Sequence, residues 1–126
     1  MTRDMELIRQ ICLQIETRED VAFKPVEIDG VDPIALARHL EMLLEAGFIE
    51  GRSALSGRGS GTAPHILVKD LSWAGHDFLD AIKNDSVWEK LKQSFSPDQL
   101  RSLPLEVVKT VGIGILTAWA KQKAGI

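Results

Sequence analysis

Two short extended segments separated by a glycine-rich stretch constrain this chain more than any other feature. Phe48-Ile49-Glu50 and Ile66-Leu67-Val68 carry the apolar and β-branched residues of strands. Between them, Gly57-Arg58-Gly59-Ser60-Gly61-Thr62-Ala63-Pro64 packs three glycines and a proline into eight residues. Neither a continuous helix nor one long strand survives such a break, so the spacing predicts a long β-hairpin with a glycine-rich tip. Gly47 stands just before the first strand, where a left-handed glycine closes a helix.

Helical periodicity surrounds the hairpin. Met5, Ile8, Ile11, Cys12 and Ile15 repeat at three and four residues and predict a first helix over 2–18. Lys24-Pro25 stops it, and Val26-Glu27-Ile28 alternates like a short strand. Asp32-Pro33 then opens a helix to Ala46, with Val31 and Leu36 placed to staple its start and Leu36, Leu40, Leu43 and Leu44 as its stripe. After the hairpin, Phe78, Leu79 and Ile82 mark another helix interrupted at Asn84-Asp85. Ser86 and Glu89 have capping-box spacing for a restart that buries Val87, Trp88, Leu91 and Phe95, and Ser96-Pro97-Asp98-Gln99 is a sharper box. From Pro104, Leu105, Val108, Gly112, Ile115 and Trp119 form a heptad-like seam.

With 126 residues there is length for a single core without metal or disulfide staples. The expected class is α+β, mostly helical: helix, short strand, helix, hairpin, then a helical extension. Residues 1–72 make the first part and 73–126 the extension, packed as one compact unit. The lone Cys12 lies on an apolar face and reads as a buried thiol. A charged N-terminus and an uncharged C-terminal run of only 11 residues, Thr110 to Ala120, argue against a signal peptide and a membrane span. The expected location is cytoplasmic. Net charge is −3, distributed as −6 over residues 1–50, zero over 51–100 and +3 over 101–126. Any surface for nucleic acid must therefore be local.

Arg38-His39-Leu40-Glu41-Met42-Leu43-Leu44-Glu45-Ala46-Gly47-Phe48-Ile49 looks like the end of a recognition helix and the first wing strand of bacterial winged-helix regulators. Leu71-Ser72-Trp73-Ala74-Gly75-His76-Asp77-Phe78-Leu79 is similar to the leucine–threonine/serine–x–x–glycine turn that follows the wing in such proteins. Arg3 to Arg9, the His39-Leu40 helix, Gly75 to Asp80 and Val87 to Lys90 together resemble a phage- and prophage-associated family of unknown function, over residues 2–92. That resemblance implies a winged-helix-like fold and a mobile-element setting, and no assigned activity. One departure bears on function. Glu19 to Val31, broken by Pro25, leaves the short second helix of a helix-turn-helix missing or reduced, which weighs against major-groove insertion of the 32–46 helix.

The candidate chemistry is basic rather than catalytic. From Gly51 to Lys69 the chain has Arg52, Arg58, His65 and Lys69 and no acid, a pattern suited to phosphate contacts from a wing. Arg38 is the base offered by the candidate recognition helix, against Glu41 and Glu45, with His39 at the edge of its stripe. His39, His65 and His76 fit no zinc signature. His76 and Asp77 diverge on a helix, and no lysine–serine/threonine pair follows the glycines. The reading is a non-enzyme without metal or cofactor. Its expected functions are a DNA-binding protein, a regulator of a phage or other mobile element acting on double-stranded DNA, or a protein-interaction module on the same framework. The C-terminal helix is expected either to fold back onto its own domain over the first helix or to pair two chains as a homodimer at Leu105, Val108, Gly112, Gly114, Ile115, Ala118 and Trp119.

Overall fold

The structure is a computed structural model and describes residues 2–54 and 65–125, with Ala54 and His65 described by backbone alone. The chain is α+β and mostly helical. Helix α1 spans Met5–Glu16, starting later than the expected residue 2 because the Asp4 side chain accepts from the amides of Glu6 and Leu7 and fixes the first turn. Its stripe of Met5, Leu7, Ile8, Ile11, Cys12 and Ile15 is buried. Burial pushes the Cys12 thiol up to about 12, so it is protonated at neutral pH.

Strand β1 is Lys24–Pro25, not the expected Val26–Ile28. It lies at a sheet edge, where a residue without an N–H is tolerated, and Val26 follows it into the core. Helix α2, Pro33–Glu45, is capped by Asp32, whose carboxylate accepts from the Ala35 amide at 3.2 Å. It closes in a Schellman motif: Phe48 N–H donates to Leu43 O, Gly47 N–H donates to Leu44 O, and Gly47 sits at φ +79°. Strands β2 (Ile49–Ala54) and β3 (His65–Leu71) run antiparallel, and β1 pairs with the other edge of β3, giving the order β1-β3-β2.

Four helices follow: α3 (Trp73–Ile82), α4 (Asp85–Ser94), α5 (Pro97–Ser102) and α6 (Leu105–Ala124). Ser72 caps α3, and the expected Ser96–Gln99 box caps α5 with both bonds formed. The expected Ser86–Glu89 box does not cap α4. Asn84 does so instead, because its carboxamide oxygen accepts from the amides of both Ser86 and Val87.

Helix α6 packs mainly on α3 and α4 rather than folding over α1. Val108 is fully buried, Leu105 and Ile115 pack against the core, and Gly112 lies so close to α3 that a Cβ there would meet Ala81 O at 2.8 Å. Gly112→Ala is therefore expected to destabilise the protein by about 1–2 kcal/mol despite alanine's better helix propensity, measured as a fall in the urea midpoint. An unchanged or raised midpoint would mean that α6 can move away from α3 freely.

Candidate nucleic-acid interface

Strand pairing decides which hairpin side chains share a face. Ile66 and Val68 point into the core, so the residue between them, Leu67, points outward. Leu67 pairs directly with Arg52 on one side and Pro25 on the other. Arg52 therefore stands on the outer sheet face, with its guanidinium carbon 4.7 Å from the centroid of the Phe23 ring. Phe23 is 40% exposed and stays in place as a platform for that cation. Arg18 fastens this platform from below, donating to the carbonyls of Val68, Lys24 and Pro25. Lys24 is paired with Asp20 across one helix-turn-like spacing.

The remaining basic residues do not all join Arg52. The pairing shifts between Glu50 and Gly51, so Glu50 opposes Asp70 while Gly51 opposes Val68, and Lys69 is left in the bulge without a partner in the ladder. Lys69 is partly buried there. Arg38 is exposed on α2. Arg58 lies outside the described residues, and of His65 only the backbone, paired with Ala54, is described.

His39 is the clearest correction. It is 2% exposed, not at the stripe's edge. One ring nitrogen, Nε2, accepts from the Asp4 amide at 2.9 Å, and Nδ1 lies 2.7 Å from Ala35 O. This pair of partners fits the neutral ring protonated on Nδ1, with both nitrogens satisfied. It ties α2 to the start of α1 and leaves Arg38 as the only basic side chain that α2 turns to solvent.

The sheet register also creates a feature that charge counting along the sequence does not reveal. Glu50 and Asp70 face each other at the hairpin base, and α3 adds Asp77 and Asp80 beside them. With Trp73 and His76 they line an open cavity of about 490 Å³. Trp73 is 87% exposed, and His76 Nε2 lies 3.8 Å from Asp70. The signal was the pairing of Ile49 with Leu71, which forces their neighbours Glu50 and Asp70 together. Among the described residues, no group of three or more histidines, cysteines or carboxylates is placed to hold a metal ion. No helix among them is long and apolar enough to cross a membrane.

The seam expected to serve oligomerisation divides. Leu105, Val108, Gly112 and Ile115 turn toward their own chain, and Trp119 is half-buried with Lys123 Nζ 5.8 Å from its ring. Gly114 and Ala118 are exposed.

Compared with known proteins, the chain is 31% identical over 119 residues to an uncharacterized protein of Haemophilus influenzae (strain ATCC 51907 / DSM 11121 / KW20 / Rd), covering 93% of this chain and 97% of that one. No solved structure gives a significant match. A family model described as "Hypothetical protein (DUF2513)" matches residues 2–99, most of the chain, and on both grounds the chain belongs to the DUF2513 family.

Proposed function

We propose that the chain is a winged-helix-type DNA-binding protein that holds duplex DNA through its hairpin, a regulator of a phage or other mobile element that works as a homodimer through its C-terminal helix. The observation that carries this reading is Arg52, fixed over Phe23 on the outer face of a hairpin segment without an acid between Gly51 and Lys69. The sheet order β1-β3-β2, with α2 entering the hairpin through a tight Schellman turn, supports the winged-helix framework. Burial of His39 and the carboxylates of Glu41 and Glu45 leave α2 poor in base-reading groups. Binding is accordingly assigned to phosphates, with Arg52, Arg58, His65 and Lys69 on the hairpin and Arg38 at the groove edge.

Fluorescence anisotropy on labelled random and self-upstream duplexes tests the reading. Affinity is expected to fall with salt, and Arg52→Ala and Arg58→Ala are each expected to lower the log–log salt slope by about one. Absence of binding even at low salt would remove DNA as the ligand.

A second reading, a protein-interaction module, is favoured by one specific observation. The exposed Trp73 stands among Glu50, Asp70, Asp77 and Asp80, a surface that repels phosphate and suits a cationic protein segment. It is distinguished by its ligand: Trp73→Ala would then weaken partner capture and leave duplex affinity unchanged.

A further inference from the structure

The solvent side of α6 carries charge only toward its ends and none over its middle three turns. Opposite Val108, Gly112 and Ile115, which face α3 and α4, the residues Glu106, Thr110, Ile113, Thr117 and Lys121 follow at intervals of four, three, four and four and form one stripe. From Thr110 to Ala120 no charge interrupts the helix. Ile113, at the middle of the stripe, is 45% exposed. Both threonine hydroxyls are already used, Thr110 Oγ1 donating to Glu106 O at 2.9 Å and Thr117 Oγ1 to Ile113 O at 2.7 Å. The stripe therefore asks little of water along three turns. Exposed helix faces in soluble domains are normally charged and polar, so this one has the composition of a covered surface.

Charge identifies what covers it. The stripe has a carboxylate at one end, Glu106, and an ammonium at the other, Lys121, with the neutral residues between. Such a surface is complementary to itself when run in the opposite direction. We propose that α6 pairs antiparallel with α6 of a second copy of this chain, about a two-fold axis passing between Ile113 and Gly114. That axis sets Glu106 beside the partner's Lys121, Thr110 against the partner's Thr117, and Ile113 over the partner's Gly114. Gly114 supplies the room, because a Cβ there would meet nothing within 4 Å in its own chain. The contact is isologous and closes on itself as a dimer. Antiparallel packing also sets each helix's positive end beside the other's negative end.

This pairing deepens the DNA-binding reading, since two copies present two hairpins to one duplex. It is measured without nucleic acid, so either can fail while the other stands. The experiment is sedimentation velocity over a concentration series of the full chain. Wild type is expected to shift toward twice the mass of the chain as concentration rises. Glu106→Lys alone and Lys121→Glu alone each turn two attractions into two repulsions and are expected to weaken association about tenfold at low salt. The double variant Glu106→Lys/Lys121→Glu restores both pairs and is expected to return association to the wild-type range. Gly114→Leu is expected to give a folded monomer, its circular dichroism retained because the monomer has space for the side chain. A wild type that stays monomeric at every concentration overturns the proposal. So does a dimer indifferent to Gly114→Leu, or a double charge swap that fails to rescue the single ones.

Discussion

Gly75→Ala is expected to lower folding stability by about 3 kcal/mol, although the substitution is made inside a helix. In helix interiors glycine costs about 1 kcal/mol relative to alanine, so with space available the change would stabilise. There is none. A Cβ on Gly75 would lie 1.9 Å from Phe48 O and 2.9 Å from Phe48 C, both backbone atoms. Phe48 cannot yield, because its carbonyl accepts from the Ser72 amide at 3.0 Å and its ring stacks on Phe78 with centroids 5.1 Å apart. Ser72 is held in turn: its hydroxyl donates to Gly47 O at 2.5 Å and accepts from the Gly75 amide at 3.0 Å. The α2–β2 turn and the start of α3 are thus joined backbone to backbone, and the absent side chain at 75 is the condition for it. Gly114→Ala, compared with wild type at concentrations low enough to keep both monomeric, is the internal control, with nothing within 4 Å of its Cβ in its own chain and an expected gain of up to about 1 kcal/mol. Urea unfolding of both variants checks the pair. Equal signs would show that propensity, and not space, governs these glycines.

What could be read beforehand was whatever depends on neighbours in sequence. Asp32-Pro33, Gly47 and the Ser96–Gln99 box each act within one turn, and each performs the expected role. Asn84 took the cap expected of Ser86 because two acceptors compete within three residues, and only geometry chooses between them. Periodicity gave the inner stripes of α1 and α2 but missed His39 in the core, since its value there depends on the Asp4 amide 35 residues away. The candidate site was legible only in part. Arg52 and Lys69 belong to the same acid-free basic segment, yet a one-residue shift in register puts Arg52 on the outer face and Lys69 in a bulge. The same register brings Glu50 to Asp70, an acidic surface that no linear window contains. Likewise the apolar seam of α6 was visible, but not which chain it would turn toward; the approach of Gly112 to Ala81 decides that for its inner side.

Trp88→Ala is expected to cost about 3–5 kcal/mol and to act on the whole chain at once. Trp88 is 2% exposed in α4, and its partners come from the opposite end of the sequence. Its Nε1–H donates to Glu6 in α1 at 3.0 Å, and the Arg9 guanidinium lies 5.5 Å from its ring. Arg9 in turn donates to Ile82 O and Lys83 O, the carbonyls left open where α3 ends, and to Asp85 at the start of α4. Removing the indole therefore loosens the joint between α1, α3 and α4, not one helix alone. If residues 73–126 were an appendage on an independent domain, the variant would unfold in two steps, with α1 and the hairpin retained in the second. The shared partners predict one transition with its midpoint lowered, the same by circular dichroism and by the fluorescence of the remaining tryptophans. Trp88→Phe separates packing from polarity. It keeps most of the buried ring and loses the bond to Glu6, which should cost about 1 kcal/mol at neutral pH. Partial burial works against the charge on Glu6, but hydrogen bonds from Lys92 and Trp88 outweigh it and hold its pKa below the usual carboxylate value. The stability linked to that depression is present above the unfolded pKa and is lost as pH falls through the folded one. The difference between wild type and Trp88→Phe should accordingly narrow in acid, and a difference that stays constant with pH would assign the effect to packing alone.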